Sequence, residues 1–279
     1  MDRFHSAVST TLPLLEELRN GLIPAPGASR AALHRLKVVA HELAVANPPT
    51  KTSDQTPPGA SNLEPPGSTS PALIPTRSWS LPGLQAAAIG CTECPHLVSS
   101  RTQVVFGVGN PDAELMFVGE APGADEDVQG EPFVGKAGQL LTKIIQTMGF
   151  ARGDVYIANV LKCRPDMPPG TSGNRKPKPE EMATCFPWLA EQIRLVRPKV
   201  LVALGATAVE GLLGEKRPMR DLRGKWLEYE GVPVLATYHP AYLLRNQATT
   251  EKRKVWEDML LVLKKLERPI SAKQDRFFT

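Results

Sequence analysis

Short apolar runs alternate along this chain with longer stretches in which apolar residues recur every three or four positions. Leu115–Val118 (LMFV) reads as a buried strand that breaks at Gly119 into a polar, Gly/Pro-punctuated loop. From Lys136 an amphipathic helix follows, with Leu140, Leu141, Ile144 and Ile145 on one side. Asp154–Leu161 (DVYIANVL) is a second strand, interrupted only by Asn159, and it runs into a basic Pro/Gly loop. The helix over 179–196 has Pro177 and Pro179 at its entry and Arg197-Pro198 at its exit. Lys199–Leu204 is a third strand, followed by Gly205 and a short helix over 206–213. Val232–Ala236 is a fourth, ending in Thr237-Tyr238-His239-Pro240, and a last helix over 249–267 turns Val255, Met259, Val262, Leu263 and Leu266 inward. Gln103–Gly107 is an edge strand or an extended lead-in. Apolar strands alternating with helices predict a three-layer α/β/α domain around a mainly parallel four-stranded sheet.

Ahead of this domain the pattern changes. Residues 4–22 and 31–46 show helical spacing on either side of a Pro/Gly break at Ile23–Gly27, giving a helical N-terminal extension over 1–46. Residues 47–80 hold eight prolines, many Ser and Thr and few aliphatics, too little apolar surface to offset ordering entropy. They are read as a flexible linker, the extension as a docking module for a protein partner, 81–268 as the working domain and 269–279 as a C-terminal tail. The 33 Lys and Arg exceed the 29 Asp and Glu by only 4, so affinity for a polyanion has to come from local patches. Such patches are Lys162–Lys178, with five basic residues against one Asp, and Glu215–Lys225, with five against two. Apolar runs fall short of the ~20 residues that cross a bilayer, and the first residues lack a basic and then apolar secretory pattern. The expectation is a cytoplasmic monomer without a membrane partner.

Parallel strands project their carboxyl ends to one side of the sheet, where open α/β folds place ligands. Those ends carry Glu120 to Phe133, Asn159 and His239. The loop holds Glu120, Asp125, Glu126 and Asp127 beside a lone aromatic, Phe133. Asn159 is an amide in an apolar run, and burial without partners would cost roughly 1–3 kcal/mol. Its donor and acceptor therefore face either neighbouring backbone or a complementary ligand edge. An aromatic face, an amide edge and an imidazole suit a flat heterocycle bearing carbonyls, the requirement for an extruded base.

The chain has 4 cysteines. Cys91 and Cys94 form a CxxC pair, while Cys163 and Cys185 are single. A zinc ribbon normally shows two such pairs. Four thiolates from three segments fit a cubane iron–sulfur cluster better, and unrelated buried cysteines are the third reading.

Together these residues resemble the type-4 uracil-DNA glycosylases, the iron–sulfur branch of their superfamily. The carriers are GEAPGADED at 119–127, GEPFVGKAGQLL at 130–141, YIANVLKCRP at 156–165, NRKPKPEE at 174–181 and HPAYLLR at 239–245. The resemblance spans about 81–267. It implies a parallel four-stranded sheet between helices and a 4Fe–4S cluster on Cys91, Cys94, Cys163 and Cys185. It implies that main chain around Glu120, Ala121 and Pro122 lines a uracil pocket, that Phe133 stacks on the base, and that Asn159 reads its O4/N3 edge. His239 would face O2. The HPAYLLR segment would enter the minor groove, with Leu243 or Leu244 as the wedge and Arg245 beside it. The loop between Cys163 and Cys185 is longer than the family's compact form, which loosens the carry-over to Asn174.

The activity so implied is hydrolysis of the N-glycosidic bond of uracil in DNA, as in base-excision repair. His239 would stabilise charge on O2, and Glu120, Asp127, Asn174 or main-chain carbonyls would position the water. No lysine stands where an imine-forming nucleophile is needed, so a monofunctional enzyme is expected. The alternatives are a protein that traps uracil-containing DNA and an iron–sulfur redox protein.

Overall fold

The computed structural model describes residues 79–278, apart from 169 and 172. The two predicted N-terminal helices and the linker up to residue 78 lie outside these residues. Helix α1 (Leu81–Ile89) opens where Ser80 Oγ accepts from Gly83 N at 3.2 Å, satisfying one free N–H of the first turn. Helix α2 (Pro95–Ser100) follows Cys94. Strand β1 (Val108–Gly109) leads to β2 (Leu115–Gly119), helix α3 (Ala124–Gln129), helix α4 (Lys136–Met148) and β3 (Tyr156–Asn159). Helix α5 (Pro179–Val196), β4 (Val200–Leu204), α6 (Ala206–Leu213) and the short α7 (Met219–Leu222) come next. Strands β5 (Trp226–Tyr229) and β6 (Val232–Thr237), then helices α8 (Pro240–Arg245), α9 (Thr249–Lys265) and α10 (Ala272–Asp275), complete the order.

The sheet runs β1-β3-β2-β4-β6-β5. Its four central strands are parallel, and β1 and β5 are antiparallel edges on β3 and β6. The sheet is thus six-stranded and mixed, where periodicity predicts four parallel strands. The edges escape the pattern for local reasons. Strand β1 has only 2 residues, too few for any period. Strand β5 joins β6 through Glu230 and Gly231, both left-handed at φ 46 and 82, the turn that suits a right-twisted hairpin. The lead-in segment pairs by a single bond, from Val105 N to Lys162 O at 2.8 Å.

Strands β2 and β4 are buried along their whole length, as expected where helices cover both faces. Alternation sends Leu115 and Phe117 towards α4 and α9, among Leu141, Ile145, Met259 and Leu263. Met116 and Val118 face α5 and α6, among Leu189, Ile193, Val209 and Leu212. Each such side chain contributes about 1.5–3 kcal/mol by leaving water, so the two clusters hold the layers together. The acidic stretch after β2 is not a plain loop. It contains α3, capped by its own Glu126 (below), and ends at left-handed Gly130. The C-terminal tail folds back: Trp256 Nε1 donates to Gln274 O at 2.5 Å, and Gln274 Nε2 donates to Thr147 O at 2.8 Å. Among the described residues no helix is long and apolar enough to cross a membrane.

Candidate active site

Register brings the strand ends together. Gly119 is paired with Asn159 across β2 and β3, and Leu204 with Thr237 across β4 and β6. Beyond these pairs, Leu161 N donates to Glu120 O at 3.0 Å and Gly205 N to Thr237 O at 2.8 Å. The chain segments leaving the sheet are therefore held side by side.

The loop after β2 is shaped by one carboxylate. Glu126 accepts from Gly123 N at 3.1 Å and from Val134 N and Gly135 N at 3.0 Å each. Charge-assisted bonds of this kind are roughly twice as strong as neutral ones, and here they clamp both ends of the loop. Between them Phe133 is held at φ 55, a conformation that costs a non-glycine residue energy and persists only under such constraint. Helix α4 approaches so closely that a Cβ on Gly138 would overlap the Phe133 carbonyl.

Phe133 has Asn159 on one side and His239 on another. A Cβ on Gly119 would collide with Asn159 Oδ1 and come within 2.5 Å of Phe133 Cζ. The Phe133 and His239 rings lie 5.6 Å apart, tilted by 30°. Asn159 is buried, and no described residue donates to its Oδ1. An unpaired buried acceptor is costly, so this oxygen is where a ligand donor would be taken up.

His239 caps helix α8: its Nδ1 accepts from Ala241 N at 3.1 Å. That bond assigns the proton of the neutral ring to Nε2, as a donor. Burial pushes its pKa down to about 4, with Arg245 adding to the shift and Glu126 opposing it. Two residues earlier, Thr237 Oγ1 donates to Asp258 at 2.7 Å, and Arg223 Nη2 donates to the same carboxyl at 2.8 Å. Burial raises Asp258 to about 6 against these partners. The network fastens the end of β6, and hence His239, to α9.

The other predicted site residues are placed as follows. Burial pushes the Glu120 carboxyl up, opposed by a hydrogen bond from Thr207 and by Lys176. Ala121 packs against the apolar cluster around Cys163 and Cys185, and Pro122 is buried. Asn174 is exposed, with its Nδ2 about 3.2 Å from where a Gly123 Cβ would lie. Asp127 is occupied as a brace: both its oxygens accept from Thr102 N at 3.0 Å. Leu243 is buried at 5% exposure and Leu244 stands out at 38%, with Arg245 exposed beside it.

The basic segments are less available than their composition predicts. Lys162 is buried at 1% exposure, and burial lowers its pKa to about 7. Arg175 pairs with Glu181 and Asp166, Lys176 with Glu210, Arg217 with Glu215 and Arg223 with Asp258. Arg164 is half-buried and Lys178 exposed.

Cys163 and Cys185 are buried in one small apolar cluster, with Cys94 packed against it. Burial pushes the thiols of Cys94, Cys163 and Cys185 up, Cys185 to about 12, and mutual repulsion among the four adds to this. Two donors favour the thiolate form. Arg101 Nη1 reaches Cys163 Sγ at 3.0 Å, and Lys162 N reaches Cys185 Sγ at 3.2 Å. The thiols are neighbours without forming a tight set. Among the described residues the group of ligand atoms all within 4.8 Å of one another is His96, Asp166 and Glu181, and Arg175 already pairs with both carboxylates of that group. A single tetrahedral ion would draw four sulfurs to about 3.8 Å from one another, from metal–sulfur bonds of ~2.3 Å. Among the described residues no three of these sulfurs lie within 4.8 Å of one another.

Residues 106–260 match the family model of the uracil DNA glycosylase superfamily. The type-4 uracil-DNA glycosylase of Thermotoga maritima is 48% identical over 172 residues, 61% of this chain and 85% of its own. That of Archaeoglobus fulgidus is 42% identical over 181 residues, 62% of this chain and 87% of its own. The chain belongs to type 4 of the uracil DNA glycosylase superfamily. A type-5 uracil-DNA glycosylase from Pyrobaculum aerophilum is more distant, at 32% identity over 191 residues, 57% of this chain and 81% of its own.

Some residues of this glycosylase-family site were missed in the sequence. Glu126 carried a signal, since an acid three residues after Gly123 fits a helix N-terminus. Thr207, Arg101 and Gln192 carried none, because their partners are far along the chain.

Proposed function

We propose that this chain hydrolyses the N-glycosidic bond of uracil in DNA, releasing the base and leaving an abasic site. The observation that supports the reading is Asn159 Oδ1 and the Phe133 ring held together against Gly119, with the His239 ring 5.6 Å from that of Phe133, in a chain of this family. Phe133 offers a face for stacking. Asn159 Oδ1, without a donor of its own, accepts the N3–H of uracil, while its amide donates to O4. Cytosine would oppose acceptor to acceptor, and that mismatch excludes it.

As the C1′–N1 bond breaks, its electron pair passes to the base and the sugar becomes cation-like. The base anion is delocalised onto O2 and O4. His239, neutral and carrying its proton on Nε2, is a fixed donor for O2, worth on the order of 3–4 kcal/mol in a dry site. Water adds to C1′ through its oxygen, and the proton it loses balances the charge of the base anion, which leaves as neutral uracil. Glu120, drawn towards Thr207, is the group favoured to orient the water, with Asn174 second. The oxygens of Asp127 are taken by main chain. Exposed Leu244, with Arg245, is favoured as the wedge into the vacated stack.

Cys91, Cys94, Cys163 and Cys185 would hold a 4Fe–4S cluster, a reading supported by Cys94, Cys163 and Cys185 at one apolar cluster and by N–H donors on two of the sulfurs. When bound, it supplies a rigid tie between the CxxC segment, the loop after β3 and α5. We read its role as structural.

The test is incubation of the full chain with an oligonucleotide bearing one uracil, followed by alkali. A single cut at that position, and none before alkali, is expected. DNA that stays intact would sink the proposal, and an adduct surviving denaturation would favour trapping over turnover.

A further inference from the structure

Lys162 has no role in the chemistry above, yet it is 1% exposed and lies between the two sites of the domain. Its Nζ donates to the main-chain oxygen of Asn159 at 2.8 Å and to Gln192 Oε1. The Phe106 ring closes a third side, its centroid 5.9 Å away. Gln192 is fully buried as well, and its Nε2 donates to Phe106 O at 2.9 Å and Tyr156 Oη at 3.1 Å. The main chain of Lys162 is equally committed. Its N–H points to Cys185 Sγ, and its oxygen accepts from Val105 N.

Asn159 stands in the opposite situation. Among the described residues none donates to its side-chain oxygen, so the direction of the amide depends on packing beside Gly119 and on where its own main chain is held. Asn159 ends β3, and just past it Val160 N donates to Gly119 O and Leu161 N to Glu120 O at 3.0 Å each, so β2 holds this strand end from one side. The Lys162 amine holds the strand's last carbonyl from the α5 side.

We propose that Lys162 is a positioning residue: by gripping the Asn159 carbonyl it sets the amide that reads uracil and couples that strand end to the Cys185 segment. A reading group has to lie within a fraction of an ångström of its productive place, and a displacement of 1 Å costs about a hundredfold in rate. A neutral amine donates to the same two acceptors as an ammonium, so the grip does not require the charge. Its burial separates Lys162 from the phosphate-binding role that its basic neighbourhood implies.

The inference rests on the uracil-excision reading. Lys162→Met keeps the length of the side chain and removes its donors. Single-turnover excision by the full-length variant is expected to slow by about tenfold or more, as for a buried carbonyl left without its donor. Affinity for duplex bearing an abasic site is expected to stay within about twofold, with unchanged iron per chain. Hydrogen exchange at Val160 and Leu161, whose amides bond Gly119 O and Glu120 O, is expected to accelerate while that of β4 does not. In the Asn159→Asp background Lys162→Met should cost no more than about a further twofold, because the group it positions is already gone. Excision by Lys162→Met within about twofold of wild type, or an equal tenfold loss in both backgrounds, overturns the proposal. If Lys162→Met does not accumulate folded, Lys162→Gln takes its place: it keeps an N–H donor with a shorter reach, and unaltered excision and exchange in that variant overturn the proposal too. A wild-type protein that leaves uracil in place removes the functional reading and this inference with it, whereas an active wild type beside an unaffected variant removes this inference alone.

Discussion

Gly119 and Asn159 are register partners at the ends of adjacent strands, and the missing side chain of the first leaves the space into which the amide of the second points. A methyl group there would displace Asn159 Oδ1 and the edge of the Phe133 ring together. Gly119→Ala is therefore expected to lower kcat/KM for uracil excision by about a hundredfold. The backbone at Gly119 is not left-handed, so thermal melting should move by only a few degrees. Normal turnover by this variant would mean that the base does not bind there.

Glu126 is expected to matter without touching the base. It holds the main-chain N–H groups of Gly123, Val134 and Gly135, and through them the strained Phe133. Glu126→Ala leaves those donors to water and frees the loop, at a cost of about 2–3 kcal/mol in stability. Excision should fall more than tenfold, measured beside denaturant unfolding. Glu126→Gln keeps one acceptor and should lie between.

The imidazole of His239 sets a pH dependence whose sign is fixed. Its pKa is about 4 in the fold against 6.5 ordinarily, so between these values the unfolded chain takes up a proton that the folded chain refuses. Its contribution to stability is constant above about 6.5 and declines as pH falls towards about 4. Asp258, raised to about 6 from 3.8, acts in the opposite direction over much of this window. The comparison of wild type with His239→Gln in chemical unfolding from pH 7.5 to 4.5 isolates the first effect: the wild type should lose ground relative to the variant as pH drops. Excision should show no inflection near 6.5, since the neutral donor persists well below it.

The two leucines of α8 should separate stability from DNA engagement. Leu243 is 5% exposed, and Leu243→Ala should cost about 2–5 kcal/mol of stability through the cavity it leaves. Leu244 is 38% exposed, and Leu244→Ala should change stability by less than about 1 kcal/mol while slowing excision from duplex DNA more than from single strands. Equal effects on both substrates would remove Leu244 from the wedge role.

The chain's own periodicity determined the α/β class, the four central strands and most of their helices, because the alternation of buried runs and amphipathic stretches is local information. It also marked Asn159, Phe133 and His239, since a polar or aromatic residue at the end of an apolar run is visible without a partner. Tertiary structure alone decided which charged residues are free. Asp127 became a brace for Thr102, Lys162 went inside to hold Asn159 and Gln192, and most of the two basic runs closed into ion pairs. It alone chose Leu244 over Leu243 as the exposed side chain and added two edge strands too short or too amphipathic to announce themselves. Whether a charge is buried depends on the groups that meet it, and several of these, Thr102 for Asp127, Gln192 for Lys162 and Glu210 for Lys176, lie tens of residues away, where no local pattern reaches.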